Sequence, residues 1–181
     1  DLCASRGLGD VYKRQLLVNA LRRLEYRGYD SAGIATLNNG NLGRRRSLGK
    51  LAELSDLLVR DPLLGKSGIG HTRWATHGEP SVNNAHPHMT AEVAVVHNGI
   101  IENFQELRKY LQKRGIQHTT DTDTETIALL TQAMIEDGHG PIEAAKKTID
   151  KLTGAFALCF LFEGHNLSLI HISEPTRRTQ I

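Results

Sequence analysis

Ala155-Phe-Ala-Leu-Cys-Phe-Leu-Phe162 is apolar at every position. Successive side chains of a strand point to opposite faces, so this run has no face to give to water. It belongs in the middle of a sheet covered above and below. Val93-Ala-Val-Val96 repeats the pattern and leads into Asn98-Gly99, where a strand gives way to a turn. The covering elements are legible as helical periodicities. Pro141 opens a helix with Ile142, Ala145, Ile149 and Leu152 on its inner face. Thr122 and Glu125 form a capping-box pattern ahead of Ile127, Leu130 and Met134, with Gly138 as the stop. Phe104, Leu107 and Leu111 share one face of a helix over 103–114 that Gly115 ends.

In the first half, Leu16, Leu17, Ala20, Leu21 and Leu24 mark a helix closing near Arg27-Gly28, and Leu51, Leu54, Leu57 and Leu58 mark a shorter one. Residues 33–37 and 44–48 flank Asn38-Asn-Gly-Asn41, a hairpin signal. After the alternating Ser67-Gly-Ile-Gly70, His71-Thr-Arg-Trp-Ala-Thr-His-Gly78 reads as a loop ending at the turn Gly78-Glu-Pro80. Strands and helices in this order make a layered α+β or α/β domain.

The 181 residues, 39% hydrophobic and 23% charged, suit one globular domain. A net charge of +2 offers no global field for nucleic acid. The run Arg44-Arg-Arg46 reads as a solvated strand edge. No apolar run reaches the roughly 20 residues of a membrane span. Two cysteines, Cys3 and Cys159, make no disulfide framework, which fits a reducing cytoplasm.

Several side chains suit binding. Arg73 carries a planar fork matched to a carboxylate, although a surface ion pair would use it equally. Asn98 beside the Gly99 N–H is the donor pair of an oxyanion hole, and also a common turn. His71, His77, His86, His88 and His97 invite a zinc reading, but no His-Glu-x-x-His helix is present and His86-Pro-His88 lies in a loop, so no metal is expected. No Gly-x-Ser-x-Gly elbow supports a serine hydrolase.

Leu24-Glu-Tyr-Arg-Gly-Tyr-Asp-Ser-Ala-Gly33, the 71–78 string, Asn84-Ala-His-Pro-His88, His97-Asn-Gly-Ile-Ile-Glu-Asn103 and Thr122-Asp-Thr-Glu125 together resemble the N-terminal glutaminase domain of isomerising glucosamine-6-phosphate synthase. The resemblance covers residues 16–166. Segments 1–15 and 167–181 do not share it and read as non-native ends, so the amidotransferase domain is expected to be truncated. It implies the four-layer αββα sandwich of N-terminal-nucleophile hydrolases, incomplete at both ends, with no cofactor.

Glutamine carries an α-carboxylate, an α-ammonium and a side-chain amide. The resemblance assigns Arg73 to the carboxylate, Asp123 to the ammonium, and Asn98 with Gly99 to the oxyanion. Asp123 by itself is also what a helix first turn favours. Residues Trp74 to Gly78 would form a flap over the substrate, with Thr76 and His77 adding polar contacts; an ordered loop around a packed tryptophan is the plainer alternative. Arg27 would position the nucleophile or satisfy helix carbonyls. The family's nucleophile is the thiol of the first mature residue, its own α-amine acting as base. An ungapped count puts that thiol at Leu2, one residue from Cys3, which would serve only if exposed as the N-terminus. The fragment as written is therefore expected to be inactive. The implied partners are glutamine and, through a separate isomerase domain, fructose 6-phosphate, in a homo-oligomeric enzyme that makes glucosamine 6-phosphate. The rival from the binding class is a catalytically inactive glutamine- or glutamate-binding module.

Overall fold

The computed structural model describes residues 2–6, 10–75, 77–165 and 168–173, with side chains described for 15–26, 28–75, 77–165 and 171–172. The order of elements is β1 (Leu2–Arg6), α1 (Asp10–Arg22), a 3₁₀ turn (Glu25–Arg27), β2 (Ser31–Asn38), β3 (Asn41–Leu48), α2 (Leu51–Arg60), β4 (Ser67–Arg73), β5 (His88–Met89), β6 (Val93–Gly99), α3 (Phe104–Lys113), α4 (Asp123–Glu136), α5 (Pro141–Ile149), β7 (Phe156–Phe162) and β8 (Ser168–Ser173). Two four-stranded sheets result, ordered β1-β4-β2-β3 and β5-β6-β7-β8. Every strand pairing in both is antiparallel, which decides for α+β.

The two-residue period of the strands sorts their side chains into layers. On β6, Val93 and Val95 pack outward with α3–α5, while Ala94 and Val96 face the other sheet. On β7, Phe156, Leu158, Phe160 and Phe162 go outward and Cys159 and Leu161 inward. The inner layer is completed by Ala35, Leu37 and Ile69 of the first sheet. Ala32 and Ile34 turn outward to Leu17, Leu21, Leu51, Leu54 and Leu58 of α1 and α2. The layers are therefore helices, sheet, sheet, helices. The run 155–162 has apolar side chains on both faces because both are covered, and β7 is central between β6 and β8.

Several local expectations change. The first helix begins at Asp10, ahead of the Leu16 start that the periodicity indicates. Strands β1 and β8 arise from the two segments read as non-native. The hairpin holds, with Asn39 (φ 50°) and Gly40 (φ 89°) as its two left-handed turn residues. Strand β4 continues to Arg73, so His71 and Arg73 are strand residues held by pairing with β2, where a loop was expected. The capping box forms by half: Thr122 Oγ1 accepts from the Glu125 N–H at 3.4 Å, but the Glu125 carboxylate turns instead to the N–H and hydroxyl groups of Thr119 and Thr120. On α5, Ile142 is exposed and Ala144, Ala145 and Thr148 are buried. Arg44 and Arg46 are half-buried rather than solvated, donating to the carbonyls of Pro87, Asn83 and Ala85. Among the described residues no helix is long and apolar enough to cross a membrane.

Candidate active site

A cavity of about 230 Å³ opens where the C-terminal ends of β4 and β6 meet the start of α4. Arg73, Trp74, His77, Asn98, Gly99 and Asp123, which the sequence singles out from three separate stretches, all line it. Arg73 ends β4 and is only 3% exposed. Its guanidinium donates to Asp30 Oδ1 (3.3 Å) and to the carbonyls of His77 (2.6 Å) and Gly78 (3.0 Å), so it both fixes the following loop and presents a cation to the cavity. Asp30 ties the same loop by accepting from the Ala75 N–H at 2.5 Å.

Asp123 opens α4, and its Oδ2 accepts from the Ile101 N–H at 3.0 Å. The buried carboxylate, lining the cavity, offers an acceptor to a cationic group there. The Tyr-Arg-Gly-Tyr string also explains itself locally. Gly28, at φ 75°, lies so close under Trp74 that a Cβ there would sit 2.8 Å from the indole ring. Trp74 is 67% exposed and is not packed in the core. Gly99 ends β6 at φ 110°, and a Cβ there would meet the Ala155 carbonyl at 2.1 Å. Both glycines thus allow a backbone approach that any side chain would block. The side chains of Arg27, Cys3 and Leu2, and the whole of Thr76, lie outside the described residues. Arg27 ends the 3₁₀ turn before Gly28, while in the β1–β4 register Leu2 pairs with His71 and Cys3 with Gly70.

The histidines carry what sequence reasoning missed. His71 Nε2 lies 2.7 Å from Asn98 Oδ1; since that oxygen only accepts, His71 donates, and the Asn98 amide nitrogen is turned the other way. Burial pushes the His71 pKa down to about 3, which keeps the ring neutral. His86 stacks on it at 4.5 Å, and Thr124 Oγ1 bridges His86 Nε2 (2.7 Å) and His97 Nδ1 (3.1 Å). Burial lowers the pKa values of His86 and His97 as well, with the Asp123 carboxylate opposing the shift at His97. Four of the five histidines lie on strands or beside Pro87 in the structure, a placement that the loop reading of residues 71–78 and 86–88 does not show. Among the described residues no three His, Cys, Asp or Glu side chains are grouped to hold a metal ion.

Comparisons with known proteins bear on the family and the fold. Residues 71–172 match the family model described as a glutamine amidotransferase domain. The chain belongs to that family. Its similar relatives include glutamine–fructose-6-phosphate aminotransferase (isomerizing) of Brucella abortus biovar 1 (strain 9-941), 60% identical over 154 residues. That match covers 85% of this chain and 25% of the relative. The enzyme of the same name from Bradyrhizobium diazoefficiens is 59% identical over 159 residues, 88% of this chain and 26% of the relative. The chain thus spans about a quarter of the length of these amidotransferases. Among solved structures, glutamine phosphoribosylpyrophosphate amidotransferase from B. subtilis aligns with a TM-score of 0.75 at 26% identity, over 89% of this chain and 35% of that one. The allosteric regulatory enzyme of purine biosynthesis aligns at 0.72 and 28% identity, over 82% of this chain and 33% of that one. The αββα arrangement is that of the N-terminal-nucleophile amidotransferases.

Proposed function

We propose that this domain binds glutamine in the β4–β6–α4 cavity and, with an N-terminal thiol in place, hydrolyses its side-chain amide. The observation that carries the reading is the convergence of a cation, an anion and an oxyanion-type donor pair on one cavity from segments up to 50 residues apart, Arg73 to Asp123. Arg73 takes the α-carboxylate, and Asp123 the α-ammonium. Asn98 and Gly99 face the carbonyl oxygen as it gains charge, and electrostatic help of this kind lowers the barrier more than it tightens binding. Trp74, Thr76 and His77 form the covering loop, and Arg27 orients the nucleophile. In the full-length protein the ammonia would go to fructose 6-phosphate on a further domain, giving glucosamine 6-phosphate in a cytoplasmic homo-oligomer. The names of the relatives support that acceptor.

One feature favours the inactive binding module. The position to which the ungapped count assigns the family's thiol is Leu2, and Cys3 falls one step further along. A glutaminase assay on this chain and on a version rebuilt to begin Cys-Gly-Ile-Val separates the two readings. Glutamate release by the rebuilt chain alone is expected. Glutamine binding without release by either supports the module, and absence of binding to both rejects the site.

A further inference from the structure

A second cavity, of about 180 Å³, lies where the edge strand of each sheet, β3 and β5, meets the first turn of α4. Arg44, Arg46, His88, Thr90, Thr119 and Glu125 line it. Arg44 and Arg46 are two apart on β3 and so share a face. Each guanidinium has five N–H donors. Among the described residues Arg44 is bonded only to the Pro87 carbonyl (3.2 Å), and Arg46 only to the carbonyls of Asn83 (2.6 Å) and Ala85 (2.9 Å). No described carboxylate lies within ion-pair distance of either. Glu125 is the cavity's acid. Both of its oxygens are taken by Thr119 and Thr120, whose hydrogen bonds outweigh its burial and hold its pKa below the ordinary carboxylate value.

Two half-buried like charges side by side are costly unless something neutralises them. The surroundings register this excess. Burial and then the Arg44 charge bring the Arg46 pKa down to about 10, against the smaller opposing pull of the Glu125 carboxylate, which acts on Arg44 as well. Burial, then Arg46, then Arg44, hold His88 neutral. His88 therefore adds no charge, and its Nε2 is engaged at 2.9 Å by Thr122 Oγ1. The adjacent Arg45 points away to Asp61.

We propose that this cavity binds a tetrahedral oxyanion, phosphate or the phosphate group of a monoester, between Arg44 and Arg46. Two planar forks on one strand face match the several oxygens of such a group, and its charge answers the excess of two cations over the single Glu125 carboxylate. The cavity is separate from the glutamine pocket, so the assignment stands whether or not the chain hydrolyses glutamine.

The test uses this chain at constant ionic strength. Inorganic phosphate and glycerol 1-phosphate are titrated separately against a sodium chloride control, followed by NMR of the arginine Nε–H and backbone amide signals. Saturable shifts at Arg44, Arg46 and Thr90, absent with chloride, are expected. Equal affinity for the two probes assigns recognition to the phosphate alone, and tighter binding of the ester gives the organic part a share of the cavity. Loss of one charge-assisted contact set in Arg44→Gln should weaken binding roughly tenfold. Arg46→Lys keeps the charge and loses the fork, so its loss should be smaller, and both variants' folds are checked by their amide spectra. Unsaturable shifts matching those of chloride, or unchanged affinity in folded Arg44→Gln, overturn the proposal.

Discussion

The two cavities share a wall and differ in how they treat charge. In the first, opposite charges are distributed: Arg73 lies beside Asp30, and Asp123 is held by the Ile101 N–H. In the second, two cations stand together on β3 and the one carboxylate is occupied by threonines. A zwitterion suits the first arrangement, because it brings both charges and needs both answered. An anion with several oxygens suits the second, where two cations outnumber one carboxylate. What a cavity takes is thus set less by its volume than by whether its charges are already balanced within the protein.

The largest effect is expected at Asn98. In a chain rebuilt with an N-terminal cysteine, Asn98→Asp replaces a donor with an acceptor at the oxyanion position. Turnover should fall by about 10²–10³ while the Michaelis constant changes little. A folded Asn98→Asp enzyme with near-normal turnover would reduce Asn98 to a turn residue. Such a result would leave the second cavity untouched.

Acid should act next. His71, His86, His88 and His97 all have folded pKa values below the unfolded value of about 6.5. A base lowered in this way stabilises the fold fully above pH 6.5. The contribution is lost as pH falls from there toward the folded pKa, about 3 for His71. Each such histidine should remove about 1.4 kcal/mol of stability per pH unit in that window. Urea midpoints measured from pH 7.5 down to 5 should drop steeply, and a flat profile would show that these rings are hydrated in solution. Saturating phosphate should steepen no part of this curve through the first cavity, since of these four histidines only His88 lines the second.

Smaller effects come from the shared wall. Thr124→Val removes the hydroxyl between His86 and His97 and should cost about 1–3 kcal/mol by leaving buried ring nitrogens without it. Thr122→Ala removes both the α4 cap and the His88 contact, and about 1 kcal/mol is expected from the cap. Both are read from denaturant midpoints. Equal losses at the two positions would argue that the histidines, and not the cap, dominate this wall.

Much of the fold was legible because its signals are local or periodic. The two-faced apolarity of 155–162, the Asn39-Gly40 turn and the leucine stripe of α2 each follow from a few neighbouring residues. Arg73, Asp123 and Asn98 were identifiable as candidates, while their common cavity depends on strand register and sheet packing, which no short window contains. His71 escaped notice because its role depends on Asn98, 27 residues away on the other sheet. The Arg44–Arg46 pair was misread for the same reason. Alternation on an edge strand says which residues share a face, but whether that face meets water depends on the 83–87 segment folding against it.

The first turn of α4 also restricts how this chain can vary in length over evolution. Thr122, Asp123 and Thr124 line one cavity and Glu125 the other, so four consecutive residues serve two cavities. Inserting or deleting a single residue among them would rotate those on one side of the change by about 100° around the helix axis relative to those on the other, since 3.6 residues make a turn. Both cavities would be lost together. Insertions in related chains should instead collect at open turns such as Gly115 and Gly138, where a Cβ would meet nothing within 4 Å.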